Sequence, residues 1–200
     1  MFFVSDLPPL EQERISCSII AAVKYELPAN IVLAVAGQEG GKPGQWVKNK
    51  NGSYDVGTMQ FNTNYLTDLA KYGISATDVE KPGCYPFELA AWRIRNHVRN
   101  DKGDLWTRVA NYHSRTPEYN QVYRALIMRR AASWADWLDE RFNTHAVAQA
   151  SVMKLSQPVT TQTIQAKAAD TPRVEVRATL TTPTKPSQPL YISRQILVNN

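Results

Sequence analysis

The apolar positions of the first forty residues recur at helical spacing. Between Glu11 and about Glu26, Ile15, Ile19, Ala22 and Val23 share one side of a helix, with Cys17 close to that face. Pro28 suits a helix start, and from there to about Gly40 the chain is apolar almost all round, so a buried helix is expected that Gly40-Gly41 terminates. Residues 41–54 are rich in Gly, Asn and Lys, and Asn51-Gly52 is a turn signal for a surface loop or short hairpin. Asp55 to Phe61 reads as extended, and Asn62 or Thr63 can cap a helix through about Lys71. After a loop from Gly73 to Cys84, Pro86 opens a helix to about Asn100 whose stripe is Leu89, Ala90, Ile94, His97 and Val98. Asp104 is placed to cap a short helix from Leu105 to His113, and a last helix, Pro117 to about Phe142, turns Tyr123, Ile127, Trp134 and Leu138 inward. The expected class is mainly α of α+β type, a helical domain with a short β-hairpin or extended segment.

Composition then separates the chain into unequal parts. All five tryptophans lie between Trp46 and Trp137, no glycine follows Gly103, and after Asn143 the only aromatic residue is Tyr191. Residues 11–142 therefore hold the core, residues 1–10 read as a lead-in, and residues 143–200, with five prolines and little to bury, read as a disordered tail. Within that tail Arg173-Val174-Glu175-Val176-Arg177 alternates at period two, the pattern of a strand that could add to a partner's sheet edge. The tail holds six Lys/Arg against two acidic residues and so carries +4 of the net +5. Nothing in the chain interleaves aromatic and basic residues as a nucleic-acid surface does, so nucleic acid is not an expected partner.

No run reaches the ~20 apolar residues of a membrane span, and the start MFFVSDLPPLEQER has neither the basic nor the long apolar region of a secretory leader. The two cysteines and three histidines are not spaced as metal ligands, so neither a metal nor a cofactor is expected. Whether Cys17 and Cys84 pair is open at this level, because spacing along the chain does not fix their separation in space.

Candidate chemistry begins at Glu39. Counting back four and seven residues along the helix gives Val35 and Val32, so the carboxylate shares a side with two apolar residues and is expected to be partly desolvated; the bland alternative is a helix-end charge turned to water. Asp55 opens a second polar run, Asp55-Val56-Gly57-Thr58-Met59-Gln60-Phe61-Asn62. Cleavage of a glycosidic bond needs a protonated acid beside the bridging oxygen, and a carboxyl in apolar surroundings keeps its proton near neutral pH. Asp55 fits either a second carboxylate or a structural acceptor for the loop backbone of residues 51–54.

Glu39 followed sixteen residues on by Asp55-x-Gly-x-Met-Gln-x-Asn resembles the lysozyme-like lytic transglycosylases (SLT domain), in particular the small specialised ones that accompany conjugation and type IV and type III secretion machines. The likeness covers about Cys17 to Arg130. It is supported by Tyr72-Gly73-Ile74, Cys84 with Pro86, Ala91-Trp92, and Trp106 followed by Val109-Ala110-x-Tyr112. The resemblance implies a lysozyme-like fold and cleavage of peptidoglycan at the β-1,4 bond between N-acetylmuramic acid and N-acetylglucosamine, leaving a 1,6-anhydro end. Glu39 would be the acid and then the base, Gln60 and Asn62 would hold the glycan, and Tyr112 would lie beside the acid at the cleft floor. Met59 would contact substrate or pack beneath it. The resemblance also implies a Cys17–Cys84 disulfide, a periplasmic location, and secretion or conjugation components as partners reached through residues 143–200. Alternative readings are a muramidase with Asp55 as second carboxylate, a phage-virion wall enzyme, and a weakly catalytic assembly factor. The chain departs from the family pattern at Gly40, where Ser is usual after the acid, at His113, where Asn is usual after Tyr, and at Ala90-Ala91-Trp92.

Overall fold

A computed structural model describes residues 4–146 and 194–196 of the chain. Its architecture is mainly helical, with a small antiparallel sheet set into one side. Helix α1 (Pro9–Lys24) begins two residues before its expected start because Pro9 occupies the first turn, where a missing N–H costs nothing. Val4 and Leu7 pack against the core, so the end of the lead-in is part of the fold. Helix α2 (Ala29–Glu39) is the central element: every residue from Ala29 to Ala36 is buried, and the helix stops at Gly40, whose φ of 60° is the left-handed geometry of a glycine cap.

The polar excursion forms a three-stranded sheet, β1 (Trp46–Lys48), β2 (Tyr54–Val56) and β3 (Phe61–Asn62), in the order β1-β2-β3. Antiparallel register sets Val47 opposite Asp55 and Asp55 opposite Asn62. Two glycines bring the sheet against its neighbours. A Cβ at Gly57 (φ 72°) would lie 2.1 Å from the Val79 carbonyl oxygen, and one at Gly41 would lie 2.1 Å from that of Gly57. A larger residue at Gly57 would push the β2–β3 turn away from Val79, and one at Gly41 would push that turn away from the end of α2.

Asn62 caps α3 (Thr63–Leu69), its side chain accepting from the Asn64 N–H at 3.0 Å. The segment expected as a loop from Gly73 to Cys84 contains a short helix, α4 (Ala76–Val79), started by Ser75, whose N–H donates to Asp78 at 2.9 Å. Helix α5 (Tyr85–Asn100) follows, then α6 (Leu105–Ala110), capped by Asp104 as expected but ending three residues short of His113. Helix α7 (Pro117–Asp139) packs along α2 and buries Tyr123, Ile127 and Leu138. Cys17 and Cys84 form a disulfide, Cα–Cα 4.8 Å, that ties α1 to the residue preceding α5.

Two short stretches of residues 143–200 are described, and they pair with one another. Thr144–Ala146 (β4) pairs antiparallel with Arg194–Ile196 (β5). The Arg194 main-chain N–H donates to Asn30 Oδ1 at 3.1 Å, its guanidinium pairs with Asp139 at 3.2 Å, and Ile196 packs on the core. Period and composition did not reveal this ladder, because its partner strands lie far apart in the chain. The alternating segment 173–177 and the remainder of the tail lie outside the described residues.

Candidate active site

The end of α2, strands β2 and β3, helix α5 and the turn after α6 surround a cleft of about 810 Å³. Glu39, Asp55, Gln60, Asn62 and Tyr112, all proposed from sequence, line it together with Asn49, Lys50, Asn51, Ser53, Arg93, His113, Ser114 and Tyr119. Glu39 continues the buried face of Val32 and Val35 to the mouth of the cleft. Burial pushes its carboxyl up to about 7, above the usual carboxylate range, against the opposing effects of a Tyr123 hydrogen bond and the Arg93 charge; Asp55 adds to the rise. The group therefore holds its proton in a large fraction of molecules near neutrality while remaining open to the cleft.

Tyr123 donates its hydroxyl proton to Glu39 Oε1. Periodicity marked Tyr123 only as an inward residue of α7; its partner became visible when α7 was packed on α2. The His113 ring stacks on Tyr123, centroids 4.7 Å apart and planes 4° apart, and burial lowers the His113 pKa. Tyr112 lines the cleft, and its hydroxyl donates to the Met59 carbonyl at 2.9 Å; the hydroxyl bound to the acid is that of Tyr123. Met59, expected either to contact substrate or to pack beneath it, is fully buried and is not among the residues that line the cleft, and it supports the floor through that carbonyl.

Asn62 is already committed. Its Nδ2 donates to Asp55 Oδ1 at 2.8 Å and to Ser53 Oγ at 2.9 Å, while its Oδ1 caps α3. The residue holds Asp55 in place, and the groups it could offer a ligand are largely used. Gln60 adopts φ 49°, uncommon outside glycine, and its side-chain amide donates to the Gly57 carbonyl at 2.8 Å. This left-handed residue closes the turn that carries β2 into β3.

Arg93 gave no signal in the sequence beyond being polar on α5. Its guanidinium lies 4.0 Å from the Tyr65 ring centroid and 4.6 Å from that of Tyr112, clamped between two aromatic faces at the cleft wall, with no ion pair among the described residues. The turn bearing Tyr112, His113 and Ser114 is held from behind. Asp101 accepts from His97 (2.7 Å), Asn111 (2.8 Å) and Arg115 (3.1 Å), and Asn120 donates to Asn111 (2.7 Å) and to the Ser114 carbonyl (3.1 Å). Burial alone would raise the Asp101 pKa, but these three hydrogen bonds hold it down at about 2.

Among the described residues no group of His, Cys, Asp and Glu is arranged to hold a metal ion, and no helix is long and apolar enough to cross a membrane. No protein-family model matches the chain. Over 101 residues it is 30% identical to the invasion protein IagB of Salmonella typhimurium (strains SL1344 and LT2) and of Salmonella typhi, a match that covers 50% of this chain and 62% of each relative. The aligned region thus spans about three fifths of the curated relatives' length.

Proposed function

We propose that the protein is a peptidoglycan lytic transglycosylase that cleaves the β-1,4 bond between N-acetylmuramic acid and N-acetylglucosamine. The observation that carries this reading is Glu39: an acid raised to about 7, oriented by Tyr123, in a cleft walled by amides and hydroxyls suited to a glycan. Glu39 gives its proton to the bridging oxygen as the glycosidic C–O bond breaks. The resulting carboxylate takes the proton of the muramic 6-hydroxyl, whose oxygen bonds to the anomeric carbon of the same sugar. The product is a 1,6-anhydro end, and Glu39 is protonated again. Asp55, held by Asn62 across the cleft, supplies negative charge toward the oxocarbenium-like centre.

A second reading, hydrolysis by water with Asp55 as the second carboxylate, is favoured by the presence of both carboxyls in one cleft. The similarity to proteins named for invasion supports a role in opening the wall locally for a secretion or conjugation apparatus in the periplasm. In that reading the basic residues of 143–200 recruit apparatus components. Glu39→Gln keeps the size and the Tyr123 contact, so it is expected to fold and to lose lysis in a peptidoglycan zymogram; retained lysis would remove Glu39 from the reaction.

A further inference from the structure

The cleft continues past Glu39. A second arm of about 280 Å³ shares Glu39, His113 and Tyr119 with the main cleft and runs on along α7 over Val122 and Leu126. The two arms differ in chemistry. Asn49, Asn51, Ser53 and Gln60 give the larger arm its amides and hydroxyl, whereas in the smaller arm the one added amide is Gln38, and positions 119, 122 and 126, one face of α7 by their spacing, form its apolar side. Tyr119 and Val122 are each 64% exposed, apolar surface left in water at the edge of a cavity, a mark of a ligand contact.

Plain glycan accounts for only part of that wall. Sugars stack on aromatic faces, which Tyr119 offers, and satisfy hydroxyls, but the aliphatic Val122 and Leu126 beyond it give them neither a ring face nor a hydrogen bond. Muramic acid differs from its neighbour in the strand by a lactyl ether that bears a methyl group and is extended, in peptidoglycan, by a peptide beginning with a small apolar residue. We propose that the arm formed by Tyr119, Val122 and Leu126 binds the lactyl-peptide substituent of the muramic residue cleaved at Glu39, so that the protein selects peptide-bearing over peptide-free strands. This rests on the proposed function above and adds the determinant of substrate choice.

The direct test uses two synthetic tetrasaccharides of alternating N-acetylglucosamine and N-acetylmuramic acid, both uncharged at the lactyl group. One ends there as a plain carboxamide and the other continues as an L-alanine amide. The wild-type protein is expected to show kcat/KM about 10-fold higher on the alanine form, the discrimination a pocket obtains from one or two methyl groups. Val122→Ser with Leu126→Ser, changes at one exposed and one partly exposed position, should bring that ratio close to one, with the melting temperature recorded to show that the fold persists. Equal cleavage of both substrates by the wild type, or an unchanged ratio in the double variant, would overturn the proposal alone. A wild type that cleaves neither would overturn the transglycosylase reading and this one with it.

Discussion

Tyr123, buried on α7, donates a hydrogen bond to Glu39 at the end of α2, joining the two helices at the centre of the cleft. The bond stabilises the carboxylate, and so does Arg93; burial acts in the opposite direction and wins, leaving Glu39 at about 7. An acid that must be protonated to act is competent below this value and is lost as pH rises through it. Removing either partner raises the Glu39 pKa further. Tyr123→Phe and Arg93→Met are therefore both expected to shift the alkaline limb of the kcat/KM profile to higher pH. Tyr123→Phe should also lower the maximum about 10- to 100-fold, because the carboxyl loses its orientation. A limb that stays in place in both variants, measured on soluble glycan, would separate it from Glu39.

The same balance predicts a stability effect. Glu39 has a folded-state pKa above its ordinary value of 4.5, so the fold favours the protonated form, and that contribution is present at low pH and disappears as pH rises through about 7. Glu39→Gln has no proton to lose. The variant should match the wild type near pH 4 and exceed it by about 1–3 kcal/mol at pH 8, with the gap opening between those values. Urea unfolding at both pH values checks this, and a gap that is constant with pH would contradict it.

Gly57 lets the β2–β3 turn lie against the Val79 carbonyl. With φ 72° and the Val79 carbonyl oxygen 2.1 Å from a would-be Cβ, Gly57→Ala must displace either the β2–β3 turn or α4. The expected loss is about 2–4 kcal/mol, with activity falling more than stability alone explains, because Asp55 and Gln60 move with the turn. Thermal melts beside initial rates at a temperature where the variant is fully folded separate these effects.

The Cys17–Cys84 bridge closes a sequence separation of 67 residues and lies outside the residues that line the cleft. Replacing both cysteines by serine should cost about 2–4 kcal/mol and leave turnover at low temperature within about two-fold of the wild type. Addition of a reductant to the wild type during a thermal melt should reproduce the loss.

Much of this fold can be read from helical period, because α1, α2, α5 and α7 bury faces that repeat along the chain. The environment of Glu39 followed from the same logic, since Val32 and Val35 lie beneath it on one helix. What escaped was created by contacts between distant segments. Tyr123 has the period of a core residue, and only the crossing of α7 over α2 makes its hydroxyl a partner of the acid. Arg93 sits beside the apolar stripe of α5 and acquires its place from Tyr65 and Tyr112, on two other elements. Asn62 lines the cleft, but register pairing with Asp55 gives its amide a partner within the protein that the sequence did not reveal. Helix α4 escaped because a four-residue turn carries too few positions to show a period.

The fate of the anomeric carbon separates the two reactions, and mass spectrometry of muropeptides released from purified sacculi by the wild-type protein reads it directly. Internal capture by the muramic 6-hydroxyl predicts 1,6-anhydro ends, lighter by one water than hydrolysis products and inert to borohydride. Products that end instead in reducible muramic acid would contradict transglycosylation and assign Asp55 to a hydrolytic reaction with Glu39.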